Sequence, residues 1–230
     1  MVRIKKEVLS SKVYGALKEM IAHYRFQPGA RLNVEKLTSE LKVSRTPVWE
    51  AVRRLEQEGL LKSIPNRGVF MVDMTLPMAL ELYQVRGVLD GLAGRLAAQQ
   101  IDKKMLDRMA KCLEAQARVI EEGDLIGYSK LDFDFHTMIY KTSRNAFLQE
   151  MLDSLKMKMQ PLNLQIRPIL LRLYQDHMEI LETFRSKDPE AAERALVRHN
   201  RKVENQIRRE IEVTSSGIRK STGARGIEVR

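Results

Sequence analysis

The chain is poor in cysteine, with Cys112 alone among 230 residues. A single thiol excludes an intramolecular disulfide and fits a reducing, cytoplasmic setting. Cys112 falls inside a helical pattern and reads as buried packing rather than as a nucleophile. No apolar run approaches the roughly 20 residues of a membrane span, and no signal-peptide core stands near the N-terminus. Neither passage across a membrane nor residence in one is expected. There is no internal repeat. Strand signals are absent beyond Asp73. No His-Glu-x-x-His motif and no second nucleophile–base pair appear, so the usual marks of a metallohydrolase are missing.

What the chain has is basic charge, unevenly spread. Lys and Arg number 40 against 30 Asp and Glu, a net +10. Residues 1–74 carry +6, residues 75–212 carry +1 and residues 213–230 carry +3. The length fits one large or two small domains with a real core. A basic excess in one part suits contact with phosphates, although many proteins carry a basic face without such a partner.

The segment from Val34 to Leu60 carries the most informative pattern in that part. Leu37 and Leu41 make one short apolar stripe, and Val48, Val52 and Leu55 make a second. Ser44 stands where the second helix needs its N-cap, Pro47 lies in its first turn, and Gly59 supplies a stop. Arg45 and Thr46 then open an exposed helix, the end that helix-turn-helix proteins present to base edges and phosphates. Two apolar strands follow around Pro65-Asn66-Arg67-Gly68, a turn signal that places Arg67 and Gly68 at the tip of a wing.

Beyond Asp73 helical periods take over. Six helices are predicted: about Pro77–Gln100, Asp102 to Gly123, Asp124 to Ser143, Ala146–Leu162, Pro168–Ser186 and Asp188 to Val213, with Asp102, Asp124 and Asp188 as caps. The expected fold is mostly α, a winged helix-turn-helix joined to an all-α six-helix antiparallel bundle. The domains are 1–74 for DNA, 75–213 for metal and effector, and 214–230 as a basic, disordered tail.

Three of the four histidines lie in these helices. Asp132 and His136, four apart, share a face of the third. His177 lies within the fifth and His199 within the sixth. Three imidazoles and a carboxylate converging in a bundle suit a divalent transition metal such as Zn²⁺, Ni²⁺ or Mn²⁺. The same spacing also accommodates three unrelated histidines. His23 reads as a surface or packing residue.

These residues carry a family resemblance. Ser44-Arg-Thr-Pro-Val, the Leu-Glu-x-Glu-Gly-Leu stretch ending at Leu60, and Arg67-Gly68 resemble the winged helix-turn-helix of GntR-type bacterial transcription regulators. Members usually carry Arg where this chain has Trp49 and Gly where it has Lys42; Glu35 lies near a position where some place a DNA-contacting Arg. Leu82-Tyr-Gln-Val-Arg-Gly-Val-Leu-Asp90, Asp132-Phe-Asp-Phe-His136, Asp176-His177-Met-Glu-Ile-Leu181 and Val197-Arg-His199 resemble the FCD effector domain of the FadR-type branch. The resemblance implies that Asp132, His136, His177 and His199 coordinate a metal and that Arg86 faces an effector cavity; a surface or ion-pairing Arg86 is the alternative. It also implies a homodimer that binds a palindromic double-stranded operator through Ser44, Arg45, Thr46, Trp49, Arg67 and Gly68.

The expected function is a ligand-responsive, non-enzymatic transcription regulator, by resemblance a repressor, controlled by a small organic acid. Two alternatives stand beside it: a metal-dependent hydrolase with a nucleic-acid-binding appendage, and a constitutive DNA binder with a structural metal.

Overall fold

The structure, a computed structural model, describes residues 3–23, 25–159 and 169–222. It is mostly helical with one small sheet. The first elements are α1 (Arg3–Ala22), β1 (Arg31–Leu32), α2 (Val34–Leu41), α3 (Arg45–Gln57), β2 (Leu61–Ile64) and β3 (Gly68–Met71). The strands order β1-β3-β2, all antiparallel, with Arg31 opposite Phe70 and Ile64 opposite Gly68. β1 was not expected, because two residues are too few to show an alternation.

Local chemistry sets the turns. Asn33 accepts from the Lys36 amide at 2.9 Å and caps α2. Ser44 holds the N-cap position of α3 with extended backbone, but its side chain makes no capping hydrogen bond. Gly59 stops the chain at φ +73, and Asn66 (φ 58) and Gly68 (φ +104) turn the wing. At Gly68 the backbone conformation is what favours glycine, since the Arg31 side chain that a Cβ would meet at 2.9 Å is flexible and can move aside. Val13, Leu17, Ile21, Leu37, Val48, Val52 and Leu55 form the core of this part, with Leu61, Val69 and Met71 of the sheet. One further member, Met157, comes from the helical part.

Among the described residues six helices follow: α4 (Leu76–Gln100), α5 (Lys103–Glu121), α6 (Leu125–Thr142), α7 (Ala146–Met159), α8 (Leu170–Arg185) and α9 (Pro189–Thr222). Asp102, Asp124 and Asp188 accept from the amides of Met105, Gly127 and Ala191 at 2.7, 2.8 and 2.9 Å, the capping expected of them. The expected boundaries at Leu162 and Pro168 lie outside the described residues. One expectation is corrected: α9 does not end near Val213 but continues to Thr222, so most of the supposed disordered tail is helical backbone. Extending a formed helix costs far less than nucleating one, so polar composition alone does not end it.

α4 and α9 approach closely because α4 carries glycines at the contact. A Cβ on Gly91 would lie 2.7 Å from Val197 Cγ2, and one on Gly94 would lie 2.2 Å from Leu196 Cδ1 and 3.1 Å from the Ala192 carbonyl oxygen. Ala93, Ala97, Phe135, Ile139, Leu152, Ile180, Phe184 and Leu196 fill the bundle core. No described helix is long and apolar enough to cross a membrane.

Candidate metal centre and nucleic-acid interface

α6, α8 and α9 bring His136, His177 and His199 together, with ligand atoms all within 4.8 Å of one another. The ring centroids are 4.8 to 5.3 Å apart. Asp132, one turn before His136 on α6, places Oδ1 3.4 Å from His177 Nε2 and 3.8 Å from His136 Nε2. All four side chains are buried.

The surroundings fix the chemistry of each ring. His177 Nδ1 lies 2.9 Å from Gln116 Oε1 on α5. A carbonyl oxygen only accepts, so Nδ1 carries the proton and Nε2 keeps its lone pair toward the cluster; the tautomer follows from the network. Phe135 stacks on His177 at 4.6 Å. His199 Nδ1 lies 3.5 Å from Asp176 Oδ2, and Asp176 is also paired with Lys202. Burial raises the Asp176 carboxyl, but hydrogen bonds from His199 and Lys202 outweigh it and hold the group below its ordinary value. Burial, then the charge of Arg86, pushes His136 well below the ordinary histidine range. Burial also lowers His177. Burial raises Asp132 more than Arg86 lowers it.

Both ring nitrogens of His136 and Nε2 of His177 are buried without a hydrogen-bond partner among the described residues. Neutral imidazoles with free lone pairs, one carboxylate and outer partners that orient the rings are a donor set that fits a divalent transition ion. Gln116 and Asp176 were not singled out in the sequence. A residue on another helix, or next to a histidine but without a spacing of its own, gives no pattern to find.

Arg86 is buried on α4 and donates from Nε to Asp90 Oδ2 at 3.0 Å. It is thus ion-paired, but not on the surface. Cys112 is buried, donates to the Leu131 carbonyl at 3.3 Å, and burial pushes its thiol up to about 12, as suits packing rather than attack. His23 is exposed, with Nδ1 2.8 Å from the Glu19 carbonyl oxygen.

The DNA candidates gather on one face. Ser44, Arg45, Thr46 and Trp49 are exposed at the start of α3, and Arg67 is exposed at the wing tip beside Gly68. A groove of about 390 Å³ runs between them, lined by Arg31, Asn33, Glu35, Arg45, Trp49 and Gly68. Arg45 does not stand free: Nη2 is 2.9 Å from Glu35 Oε1, an exposed ion pair of little energy that DNA can displace. Arg31 and Arg53 also border this face, and the sequence pattern did not mark them. Lys42 caps α2 in the left-handed region (φ 53), which explains why glycine suits that position in the family it resembles.

Residues 9–71 match the bacterial regulatory proteins of the gntR family, and residues 81–202 match the FCD domain. This chain belongs to the gntR family of bacterial regulators, in its FCD-domain branch. This regulator is 30% identical over 190 residues to an uncharacterised HTH-type transcriptional regulator, YdhC, of Bacillus subtilis, covering 81% of this chain and 85% of that one. It is 29% identical over 206 residues to a probable D-xylose utilization operon transcriptional repressor of Paenarthrobacter nicotinovorans, covering 86% and 88%. Among solved structures it resembles McbR/YncC of Escherichia coli, with TM-score 0.76, 23% identity and coverage of 88% and 98%. A GntR regulator from Rhodococcus gives TM-score 0.72 at 26% identity, covering 86% and 96%. The regulator's winged helix-turn-helix is the part that binds operator DNA in this family.

Proposed function

We propose that this regulator is a cytoplasmic, dimeric repressor whose operator affinity is set by a small carboxylic acid bound in the helical bundle beside a divalent metal. Residues 1–74 serve as the DNA-binding domain and residues 75–213 as the effector domain. The observation that carries the reading is the convergence of His136, His177 and His199 with Asp132 beside them. Those four side chains would hold the ion, which would supply a Lewis-acid charge suited to a carboxylate. Arg86 lies buried on α4 beside Asp90, Tyr83 and Tyr140, a guanidinium within the bundle. Matched families and relatives are regulators rather than catalysts, one of them a probable repressor of a sugar operon. A small reading head needs a second copy to contact two half-sites, which is the reason for a dimer and a palindrome.

Coupling has a physical path. α6 presents Asp132 and His136 to the cluster, and Phe133 of the same helix packs against the winged-helix core. Met157 of α7 sits inside that core. A bundle rearranged by its ligand therefore acts directly on the reading head.

Elemental analysis of gently purified protein tests the metal. About one equivalent of Zn, Ni or Mn per chain is expected, falling sharply in His177→Ala. Under about a tenth of an equivalent, with no melting shift on adding any of the three ions, contradicts it.

A further inference from the structure

The groove between the wing and the first turns of α2 and α3 has one acid among its described lining residues, Glu35. Its side chain is 75% exposed, and Oε1 lies 2.9 Å from Nη2 of Arg45, whose side chain is 71% exposed. Arg31 and Trp49 line the same groove, and Arg53 borders the next one along α3. The first turn of α2 favours an acid, since a helix N-terminus carries partial positive charge. A carboxylate there nonetheless meets the duplex once α3 enters the major groove, on a face otherwise suited to phosphates.

Beside DNA, Arg45 shares its donors with the duplex. Glu35 then keeps a full set of partners only where a base offers a hydrogen. Two groups in the major groove do so, the amino groups at cytosine N4 and adenine N6. The ion pair itself chooses between them. Oε1 accepts and Nη2 donates, 2.9 Å apart. A G·C pair presents the complementary set side by side, an O6 acceptor and an N4 donor joined by their own hydrogen bond of about 2.9–3.0 Å. Guanine N7 adds a second acceptor for the guanidinium. An A·T pair also sets a donor beside an acceptor, but thymine O4 gives the guanidinium one acceptor and places a methyl next to it.

Resting on the reading of residues 1–74 as the DNA-binding domain, we infer that Glu35 and Arg45 together read one G·C base pair in each operator half-site. Arg45 donates to guanine O6 and N7, and Glu35 accepts from the cytosine amino group. Changing that pair to A·T sets thymine O4, an acceptor, against the carboxylate. Glu35 therefore excludes adenine from the place of guanine.

Binding-site selection with the metal-loaded full chain supplies the duplex, and fluorescence anisotropy measures its variants. Each G·C pair of the half-site is changed in turn to A·T. Separately, each cytosine becomes N4-methylcytosine, which still pairs with guanine but carries a methyl in place of the groove-facing amino hydrogen. At one pair, both changes weaken binding by the unaltered chain about tenfold or more. Glu35→Ala loses the effect of the methyl there and discriminates against A·T several-fold less, while still preferring G·C through Arg45. Glu35→Gln, whose amide can donate to O4, also discriminates less. Comparing duplexes within one protein cancels the general gain in affinity from removing a negative charge. If no pair responds to the methyl, or if Glu35→Ala keeps both effects, Glu35 reads no base; this overturns the inference and leaves the DNA-binding reading standing. A methyl effect relieved by Glu35→Ala with discrimination against A·T unchanged is a steric clash and overturns it too. Selection that enriches no duplex overturns the DNA-binding reading and this inference together.

Discussion

Lys156 is the residue most at odds with its surroundings. It is 2% exposed, and its ammonium sits 3.4 Å from the Phe133 ring centroid while donating to the Phe133 carbonyl and Thr137 hydroxyl. Burial pulls its pKa down to about 7 from 10.5. The sign follows from linkage. Below pH 7 the group is charged in both states, and the folded state bears the desolvation cost. Between 7 and 10.5 the unfolded chain binds the proton and the folded one does not, so this residue's effect on stability improves as pH rises. Lys156→Met removes the cost without stranding the Phe133 carbonyl, which still accepts from Thr137 at 2.8 Å. The variant is expected to be more stable than the parent at pH 7 by at least about 1 kcal/mol, with the gap narrowing toward pH 10. Denaturant midpoints at both pH values check it; a gap that is absent or widens with pH refutes it. Nothing in the sequence marks Lys156, because a lysine on an amphipathic helix ordinarily reads as a solvated one. Asp132 and His136, by contrast, were legible as a pair since i,i+4 spacing alone puts them on one face.

At the scale of elements, the caps were the most legible feature, since Asp102, Asp124 and Asp188 each carry their signal within four residues. The seam between α4 and α9 was not. Gly91 and Gly94 look like weak points of a helix until Val197 and Leu196 are seen against them, more than a hundred residues away. The seam is expected to be intolerant of volume. Gly94→Val places branched carbons against Leu196 and the Ala192 carbonyl, and should cost about 1–3 kcal/mol, a fall of several degrees in melting temperature. Thermal melts check this; an unchanged melting temperature means the helices can part without cost. Two features escaped for opposite reasons: β1 is too short to show a period, and α9 outlasts the composition that was expected to end it.

At the scale of the molecule, the two halves meet where α6 and α7 touch the winged-helix core through Phe133 and Met157. Their charge difference and the resemblance of each half were readable; this contact was not, since Met157 reads as an ordinary bundle methionine. Phe133→Ala should leave metal content and acid binding intact and weaken the influence of acid on DNA. Comparing acid affinity by calorimetry with acid-dependent DNA affinity separates the two effects; full coupling in the variant removes Phe133 from the path.

The central claim is that occupancy of the bundle controls the reading head. Fluorescence anisotropy measures it most directly, on a duplex obtained by binding-site selection, with and without the tightest-binding acid. The account predicts that acid changes the DNA affinity of the metal-loaded protein by roughly 5–150-fold, and that His177→Ala abolishes the response. An acid that binds the bundle tightly yet leaves DNA affinity unchanged would contradict it.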